Sequence, residues 1–234
     1  MTDYAQRLDA ALLTRTAVPQ FGAHFDVAAA YAIQQDLVAR RVARGERIAG
    51  IKLGLTSEAK MRQMGVHEAI WGRLTDAMQL PDGGTVELGR RIHPKVEPEV
   101  AFLVRGGAIG AIAPAIEVID SRYAGFKFTL PEVIADNTSA AGFAVGAWQP
   151  VPEDVDDLAV VMEINGSAAE KGSTAAILGD PRRAFDDALR LAGKLEDGWI
   201  VLAGAATVAL PLSRGATVKV TVEKLGSVSL RASA

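Results

Sequence analysis

Residues 92–102 read Ile92-His-Pro-Lys-Val-Glu-Pro-Glu-Val-Ala-Phe102, and the rest of the chain is interpreted from this stretch. Glu97 and Glu99 stand two residues apart, and an apolar run follows them. In a β-strand, side chains at positions i and i+2 point to the same face. A strand here therefore predicts two carboxylates on one face of a segment that is apolar enough to be half buried.

Two ionised carboxylates on one strand face repel each other, and burying either without a counter-charge costs free energy. A hard divalent cation resolves both problems, because Mg²⁺ typically binds one or two protein carboxylates and keeps positions for water and substrate. The alternative is a solvated strand face that carries two surface glutamates. The Glu-x-Glu pair alone favours this alternative, since short motifs often match by chance.

Composition narrows the class of protein. The 234-residue chain is 49% hydrophobic and 23% charged, which is typical of one globular domain with its own core. A formal net charge of −3 provides no basic surface for nucleic acid. The absence of cysteine excludes disulfides, thiolate catalysis and Cys-ligated metals. Without a membrane-spanning apolar run or a signal-peptide core in residues 1–10, a cytoplasmic protein without membrane partners is expected.

Strand patterns dominate the middle and end of the chain, while helical patterns are scattered. Helices are predicted over residues 3–14, 26–44, 58–64, 130–135 and 181–195. Strands are predicted over residues 48–55, 85–88, 92–104, 115–121, 158–164, 199–203, 217–223 and 227–231. Residues 66–80 are predicted to form an irregular, lid-like passage. This mixture predicts an α+β fold, with an N-terminal helical segment (1–45) and one compact unit (46–234).

Two further charged residues interrupt apolar strand patterns. Lys52 is either a lysine whose stem packs while its ammonium reaches solvent, or a pocket lysine that offers charge or a proton to an anionic substrate. Glu117 stands inside a predicted core strand. Together with Glu97 and Glu99, it fits a three-carboxylate cation site better than three unrelated buried acids.

Five runs of sequence form a pattern in a fixed order. They are Gly50-Ile-Lys-Leu-Gly-Leu-Thr-Ser57, Pro81-Asp-Gly-Gly84, His93-Pro-Lys-Val-Glu-Pro-Glu99, Glu117-Val-Ile-Asp-Ser-Arg122 and Ala135-Asp-Asn-Thr-Ser139. Together they resemble the fumarylacetoacetate hydrolase superfamily, in its hydratase/decarboxylase branch of meta-cleavage aromatic degradation. The resemblance implies a mixed β-roll or β-sandwich fold with N-terminal helices, and a homo-oligomer.

The same resemblance implies roles for particular residues. It implies a Mg²⁺ or Mn²⁺ site with three ligands: Glu97, Glu99 and Glu117. It implies that Lys52 is an active-site residue. The acid of the Leu-Thr-Asp segment corresponds to Asp76, and the serine of the Ala-Asp-Asn-x-Ser loop corresponds to Ser139, which completes the implied catalytic set.

Residues 59–66 and 121–128 resemble the decarboxylase side of this branch more than the hydratase side. The resemblance therefore implies metal-dependent decarboxylation of 2-oxo-3-hexenedioate (4-oxalocrotonate) to 2-hydroxypenta-2,4-dienoate by a carboxy-lyase. Two alternatives stay open: hydration of 2-oxopent-4-enoate, and a non-catalytic partner of such an enzyme. Implied partners are a small 2-oxo acid and the companion hydratase.

Several residues near these motifs are open to more than one interpretation. The segment 105–113 is shorter than the family's usual connection between the second and third metal ligands, which bears on pocket shape and assembly. Arg122 and Lys127 are candidates for contacting a distal substrate carboxylate, although surface placement is favoured for both.

The three histidines do not form a metal-binding pattern. His24, His67 and His93 are scattered and lack His-x-x-x-His spacing. A structural or hydrogen-bonding role is expected for His93. The pair His67-Glu68 leaves open the hydrolase chemistry of the superfamily's other branch.

Overall fold

The computed structural model describes residues 3–22, 25–57, 61–62, 65 and 67–234. The helices with described bounds are α1 (Tyr4–Thr14), α2 (Val27–Ala43), α3 (Leu130–Ala135) and α4 (Pro181–Ala192). The strands are β1 (Ile48–Gly54), β2 (Ile70–Thr75), β3 (Gln79–Leu80), β4 (Gly84–Val86), β5 (Lys95–Arg105), β6 (Ala108–Ile119), β7 (Ala140–Val145), β8 (Ala159–Ile164), β9 (Ser167–Ser173), β10 (Ile200–Leu202), β11 (Leu210–Pro211), β12 (Thr217–Val222) and β13 (Gly226–Ala232). The predicted helix over 58–64 lies largely outside the described residues.

The strands form two sheets. The larger sheet has the order β2-β1-β10-β5-β6-β7-β3, and β11 also pairs with β5. The smaller sheet has the order β4-β13-β12-β8-β9. Pairing is mixed, because β1 runs parallel to β10 while β5 runs antiparallel to both β10 and β6. The predicted α+β class is confirmed.

The strand β5 separates the main core from the polar side of the larger sheet. Val96, Val100, Phe102 and Val104 are fully buried in a core that β5 shares with the smaller sheet and α4. The alternate positions carry the charged residues of the opening motif. This two-residue period follows from strand geometry, which sends successive side chains to opposite faces.

The N-terminal helices pack on the larger sheet near its β2 edge. The Asp26 side chain caps α2 by accepting a hydrogen bond from the Ala29 amide at 2.8 Å. The buried side chain of Gln34, on α2, donates to the carbonyls of Trp71 and Ile134, both at 2.9 Å. This amide therefore joins α2 to β2 and to α3.

The prediction of an irregular passage over 66–80 is wrong for residues 70–75. These residues form β2, which pairs antiparallel with β1. Ile70, Gly72 and Leu74 are buried while Trp71 and Arg73 are partly exposed, so the two-residue alternation of a strand was present in the sequence. Gly72 and Trp71 obscured that alternation because neither is a typical apolar core residue.

Two turns agree with their sequence patterns. An Asn-Gly pair predicts a type I′ hairpin turn, and Asn165 and Gly166, between β8 and β9, have the positive φ values that this turn requires, 53° and 77°. Gly106 and Gly107 join β5 directly to β6. Among the described residues, no helix combines the length and apolar character needed to cross a membrane.

Candidate active site

The structure brings three buried glutamates together. Glu97 faces Glu117 across the paired strands β5 and β6, and Glu99 follows Glu97 on the same face of β5. Carboxylate oxygens of the three residues all lie within 4.8 Å of one another. Their exposed fractions are 9% for Glu97, 1% for Glu99 and 0% for Glu117. The alternative of a solvated strand face is therefore wrong.

Lys52 reaches this cluster from β1. Its ammonium donates to Glu117 Oε2 at 2.7 Å and stands 2.6 Å from Oε1 of the same carboxylate. The lysine is only 2% exposed, so the alternative in which its ammonium reaches solvent is wrong, while its role toward a substrate stays a prediction. The ion pair places one positive charge at the edge of the carboxylate cluster.

Gly204 orients Glu99 and was not identified from the sequence. Its backbone amide donates to Glu99 Oε2 at 2.8 Å. Gly204 has φ +108°, and a Cβ there would stand 2.1 Å from Thr56 Oγ1, so only glycine fits. The available signal was the run of small residues 203–206 directly after a predicted strand.

The donor set fits a hard divalent cation. The second oxygen of Glu99, Oε1, is buried and has no hydrogen-bond partner among the described residues. Burial raises the pKa of the Glu99 carboxyl, and the nearby charge of Glu117 raises it further. Burial also raises the pKa of Glu117, while the Lys52 ammonium opposes this shift. A cation among these oxygens would compensate the buried negative charge, and Mg²⁺ and Mn²⁺ both prefer such ligands.

A small cavity opens beside the carboxylates. This inner cavity has a volume of about 160 Å³, and its lining includes Lys52, Glu97 and Ser139. Its lining also includes apolar side chains, among them Ile119 and Phe126. The cavity therefore has one charged end, while apolar side chains and hydroxyl-bearing residues line the rest.

Ser139 enters the inner cavity from a backbone turn of unusual conformation. Asn137, Thr138 and Ser139 have φ values of 50°, 52° and 58°, a left-handed conformation that costs free energy for residues other than glycine. The Asn137 side chain accepts from the Arg73 amide at 2.8 Å and donates to the Arg73 carbonyl at 2.9 Å. The Thr138 hydroxyl donates to the Trp71 carbonyl at 2.9 Å. These bonds fix the turn on β2 and leave the buried Ser139 hydroxyl without a partner among the described residues.

Arg122 does not lie on the surface, so its predicted placement is wrong. Its buried guanidinium pairs with the Asp136 carboxylate and donates to the carbonyls of Asp120 and Ala140 at 2.9 and 3.0 Å. Burial raises the pKa of Asp136 to about 6 although the Arg122 charge opposes the shift. These contacts occupy Arg122 in the fold. Lys127 is exposed, as predicted.

Asp76 is not brought to the inner cavity. Its carboxylate is 3.0 Å from Arg47 Nε and also accepts from the Arg47 amide. Gly72 is the β2 residue opposite Lys52, so Asp76, four positions further along, lies about 13 Å away along the strand direction. This distance separates Asp76 from the catalytic set in which the resemblance had placed it.

The histidines do not add a second catalytic group at the cluster. His67 and Glu68 are exposed, and Glu68 pairs with Arg190 at 3.2 Å. Neither lines the inner cavity. The His93 ring lies 4.8 Å from the Phe126 ring. His24 lies outside the described residues.

Known proteins resemble the chain over nearly its whole length. A 4-oxalocrotonate decarboxylase from a Pseudomonas species is 47% identical, over 96% of this chain and 95% of the relative. A 2-keto-4-pentenoate hydratase from Paraburkholderia phymatum is 35% identical, over 87% of this chain and 85% of the relative. No protein-family model matches the chain.

Solved structures show the same fold. The 4-oxalocrotonate decarboxylase from Pseudomonas putida G7, complexed with magnesium and adipate, is 36% identical and superposes with a TM-score of 0.90, over 97% of this chain and 95% of that one. A fumarylacetoacetate hydrolase from Exiguobacterium antarcticum, 16% identical, has a TM-score of 0.61 over 81% of this chain and 76% of that one. The second likeness concerns the fold alone, and it agrees with the β-roll that the sequence resemblance implies.

Proposed function

Because the chain belongs to the family of 4-oxalocrotonate decarboxylases and 2-keto-4-pentenoate hydratases, which have the fumarylacetoacetate hydrolase-like fold, we propose that it is a divalent-metal-dependent carboxy-lyase. Its substrate is 2-oxo-3-hexenedioate and its product is 2-hydroxypenta-2,4-dienoate. The observation that carries this proposal is the convergence of Glu97, Glu99 and Glu117 with Lys52 beside the inner cavity.

The three glutamates would hold Mg²⁺ or Mn²⁺, and the bound cation would supply a Lewis acid for the 2-oxo acid group. The requirement for the cation is supported by the partnerless buried oxygen of Glu99. Lys52 would keep Glu117 oriented through their ion pair.

The reaction conserves atoms and electrons without a redox partner. The C5–C6 bond breaks and carbon 6 leaves as CO₂. The released electron pair forms C4=C5, the C3=C4 pair shifts to C2=C3, and the 2-oxo oxygen gains a pair and then a proton. Lys52 can stabilise the negative charge that develops and deliver that proton, because this lysine lines the inner cavity. Ser139, whose hydroxyl has no other bond among the described residues, would position the substrate.

Hydration of 2-oxopent-4-enoate is the second candidate, and the hydratase relative favours it. Both reactions require a stabilised dienol or dienolate at the charged end of the cavity. They differ in what happens at the other end, where the decarboxylase must accept a second carboxylate. The higher identity to the decarboxylase supports our ordering of the two.

The test is a Glu97→Gln variant assayed with Mg²⁺ and 2-oxo-3-hexenedioate. We expect metal-dependent CO₂ release to fall by about 100-fold or more, because a neutral amide is a poor ligand and the Lewis acid is lost. CO₂ release measures decarboxylation, and consumption of 2-hydroxypenta-2,4-dienoate measures hydration.

Glu163→Gln provides the matched control. Glu163 lies on β8, and its ion pair with Lys219 is 4.0 Å long, so its loss should leave activity unchanged. Full activity of Glu97→Gln with an intact circular dichroism spectrum would contradict the site. If the wild-type protein binds the metal but catalyses neither reaction, this would favour the alternative of a non-catalytic partner.

We also propose that the protein acts in the cytoplasm as a homo-oligomer and that it can associate with the hydratase that consumes its product. The family resemblance supports this assembly. Light scattering of the purified protein, alone and mixed with such a hydratase, measures it. A protein that remains monomeric and does not bind the hydratase would contradict the proposed assembly.

A further inference from the structure

A lysine continues the row of charged residues on the site face of β5. Lys95, Glu97 and Glu99 occupy alternate positions, and the register from Lys95–Ile119 to Glu97–Glu117 contains no bulge. The Cα atoms of Lys95 and Glu97 are therefore about 7 Å apart along the strand. A cation thus stands one step beyond the carboxylate cluster on the same face.

Lys95 and His93 line a second cavity that adjoins the first. This outer cavity has a volume of about 490 Å³. Phe126 lines both the inner and the outer cavity, so the two cavities meet at this residue. Gly125 and Phe126 have φ values of 65° and 57°, which is a rare conformation for an aromatic residue. Strained backbone of this kind is concentrated at ligand sites.

The side chains of Lys95 and His93 have no anionic partner among the described residues. Among the described residues, Lys95 forms no ion pair, and its ammonium lies 4.2 Å from the centroid of the Phe126 ring. The Nε2 atom of His93 is buried and has no hydrogen-bond partner in the described part of the chain. Two side-chain nitrogen groups therefore flank Phe126 without a carboxylate partner among the described residues. The Asp120 carboxylate is already bonded to the backbone amides of Ile92 and His93, both at 2.8 Å.

The other basic residues considered for a distal carboxylate are not available. Arg122 is committed to Asp136 and to backbone carbonyls. Lys127 is exposed and lines neither cavity. Lys52 is paired with Glu117 at the charged end.

We propose that Lys95 and His93 form a subsite for the distal carboxylate of a linear, six-carbon 2-oxo dicarboxylate. The inference rests on the proposed function, because the other end of the ligand must bind at the glutamate cluster. The terminal carbons of such a chain are about 6 Å apart when C–C bonds are about 1.5 Å long. This length is comparable to the separation of Lys95 and Glu97 along β5.

The subsite selects the substrate and does not accelerate the chemistry. A cation that binds the carboxylate before it leaves as CO₂ stabilises the ground state at least as well as the transition state. Loss of the Lys95 charge should therefore raise KM for the dicarboxylate and leave kcat unchanged or slightly higher.

The test compares two ligands that differ only at the distal end, 2-oxoadipate and 2-oxohexanoate, by calorimetry on the Mg²⁺-loaded protein. We expect the wild type to prefer 2-oxoadipate by about 10- to 100-fold, as a charge-assisted contact would give. Lys95→Met retains the length of the side chain over Phe126 and removes the charge. This substitution should lower the affinity for 2-oxoadipate by at least about 10-fold and leave the affinity for 2-oxohexanoate unchanged.

Lys127→Met is the matched control, because it removes the same charge from an exposed position. It should change neither affinity. His93→Gln should reduce the preference less than Lys95→Met does, since a neutral donor is retained.

The outcomes separate this inference from the proposed function. If the wild type releases CO₂ but Lys95→Met keeps the preference for 2-oxoadipate, the subsite is overturned and the proposed function stands. A preference lost in Lys95→Met without CO₂ release would support the subsite and contradict the decarboxylase. Failure of both acids to bind, together with no CO₂ release from 2-oxo-3-hexenedioate, would overturn both.

Discussion

At the scale of single residues, the site is marked by buried polar atoms that the fold leaves without partners. Glu99 Oε1 and Ser139 Oγ are two of them. An unsatisfied buried polar group costs about 1–3 kcal/mol, so a protein retains one where a ligand completes its bonds. Arg122 shows the opposite case, because each of its three guanidinium nitrogens donates to Asp136 or to a backbone carbonyl.

Ser139→Ala should separate activity from stability. Because the Ser139 hydroxyl has no partner among the described residues, its removal should leave the free energy of unfolding within about 0.5 kcal/mol of wild type. Loss of a hydrogen bond to a charged substrate should lower kcat/KM by about 10- to 100-fold. Urea denaturation and steady-state kinetics measure the two quantities.

The neighbouring hydroxyl serves as the control for this prediction. The Thr138 hydroxyl already donates to the Trp71 carbonyl, so Thr138→Val should lower stability by about 1 kcal/mol. Unaltered kinetics in Ser139→Ala would remove the residue from the proposed mechanism.

At the scale of elements, a left-handed turn is held against a strand edge to present one side chain. The Asn137 amide bonds to both backbone groups of Arg73, as a neighbouring strand would. The turn approaches β2 so closely that a Cβ on Gly72 would stand 2.6 Å from the Asn137 carbonyl oxygen. The contact between turn and strand therefore depends on a glycine.

Gly72→Ala should push the turn away from β2. We expect a loss of about 1–3 kcal/mol in the free energy of unfolding, the usual cost of forcing extra atoms into a packed site. Catalytic activity should fall as well, because Ser139 moves with the turn. Denaturation and kinetics measure both effects.

The control for this substitution is Gly89→Ala. A Cβ at Gly89 meets no atom within 4 Å, so the change should be nearly neutral. Equal free energies of unfolding for the two variants would show that the turn can move away from β2 without loss of stability.

At the scale of the whole molecule, one face of β5 packs in the core and the other face carries glutamates of the site. Phe102 is fully buried on the core face, with its ring 6.1 Å from that of Phe185 on α4. The glutamates occupy the opposite face. The packed core thus holds in place the strand from which two of the three carboxylates project.

Phe102→Ala should destabilise the protein without abolishing the site. A large-to-small change in a packed core costs about 3–5 kcal/mol. Because the residue faces away from the carboxylates, Mg²⁺ affinity of the folded fraction should be retained. Urea denaturation and metal titration at low temperature test the two parts.

Leu103→Ala on the same strand should cost less, because Leu103 is only partly buried. If Leu103→Ala lowered the free energy of unfolding as much as Phe102→Ala, burial on the core face of β5 would not determine the loss of stability. Loss of Mg²⁺ binding in folded Phe102→Ala would mean that the two faces of β5 are not independent.

The sequence by itself determined the features that depend on local pattern. The alternation in β5 predicted that Glu97 and Glu99 share a face, Asp26 predicted the start of α2, and Asn165-Gly166 predicted a hairpin turn. Such features require only the geometry of a few consecutive residues. The ordered motifs indicated the family, and the resemblance implied active-site roles for Lys52 and Ser139.

Only the tertiary structure decided which distant residues meet. The short strand β10 lies between β1 and β5, so Lys52 reaches Glu117 across a sheet whose order does not follow the chain. The same long-range pairing places Gly204 against Glu99 and keeps Asp76 with Arg47, far from the cavity. Sheet order depends on which strands bury each other's apolar faces, a property of the whole chain that no local spacing contains.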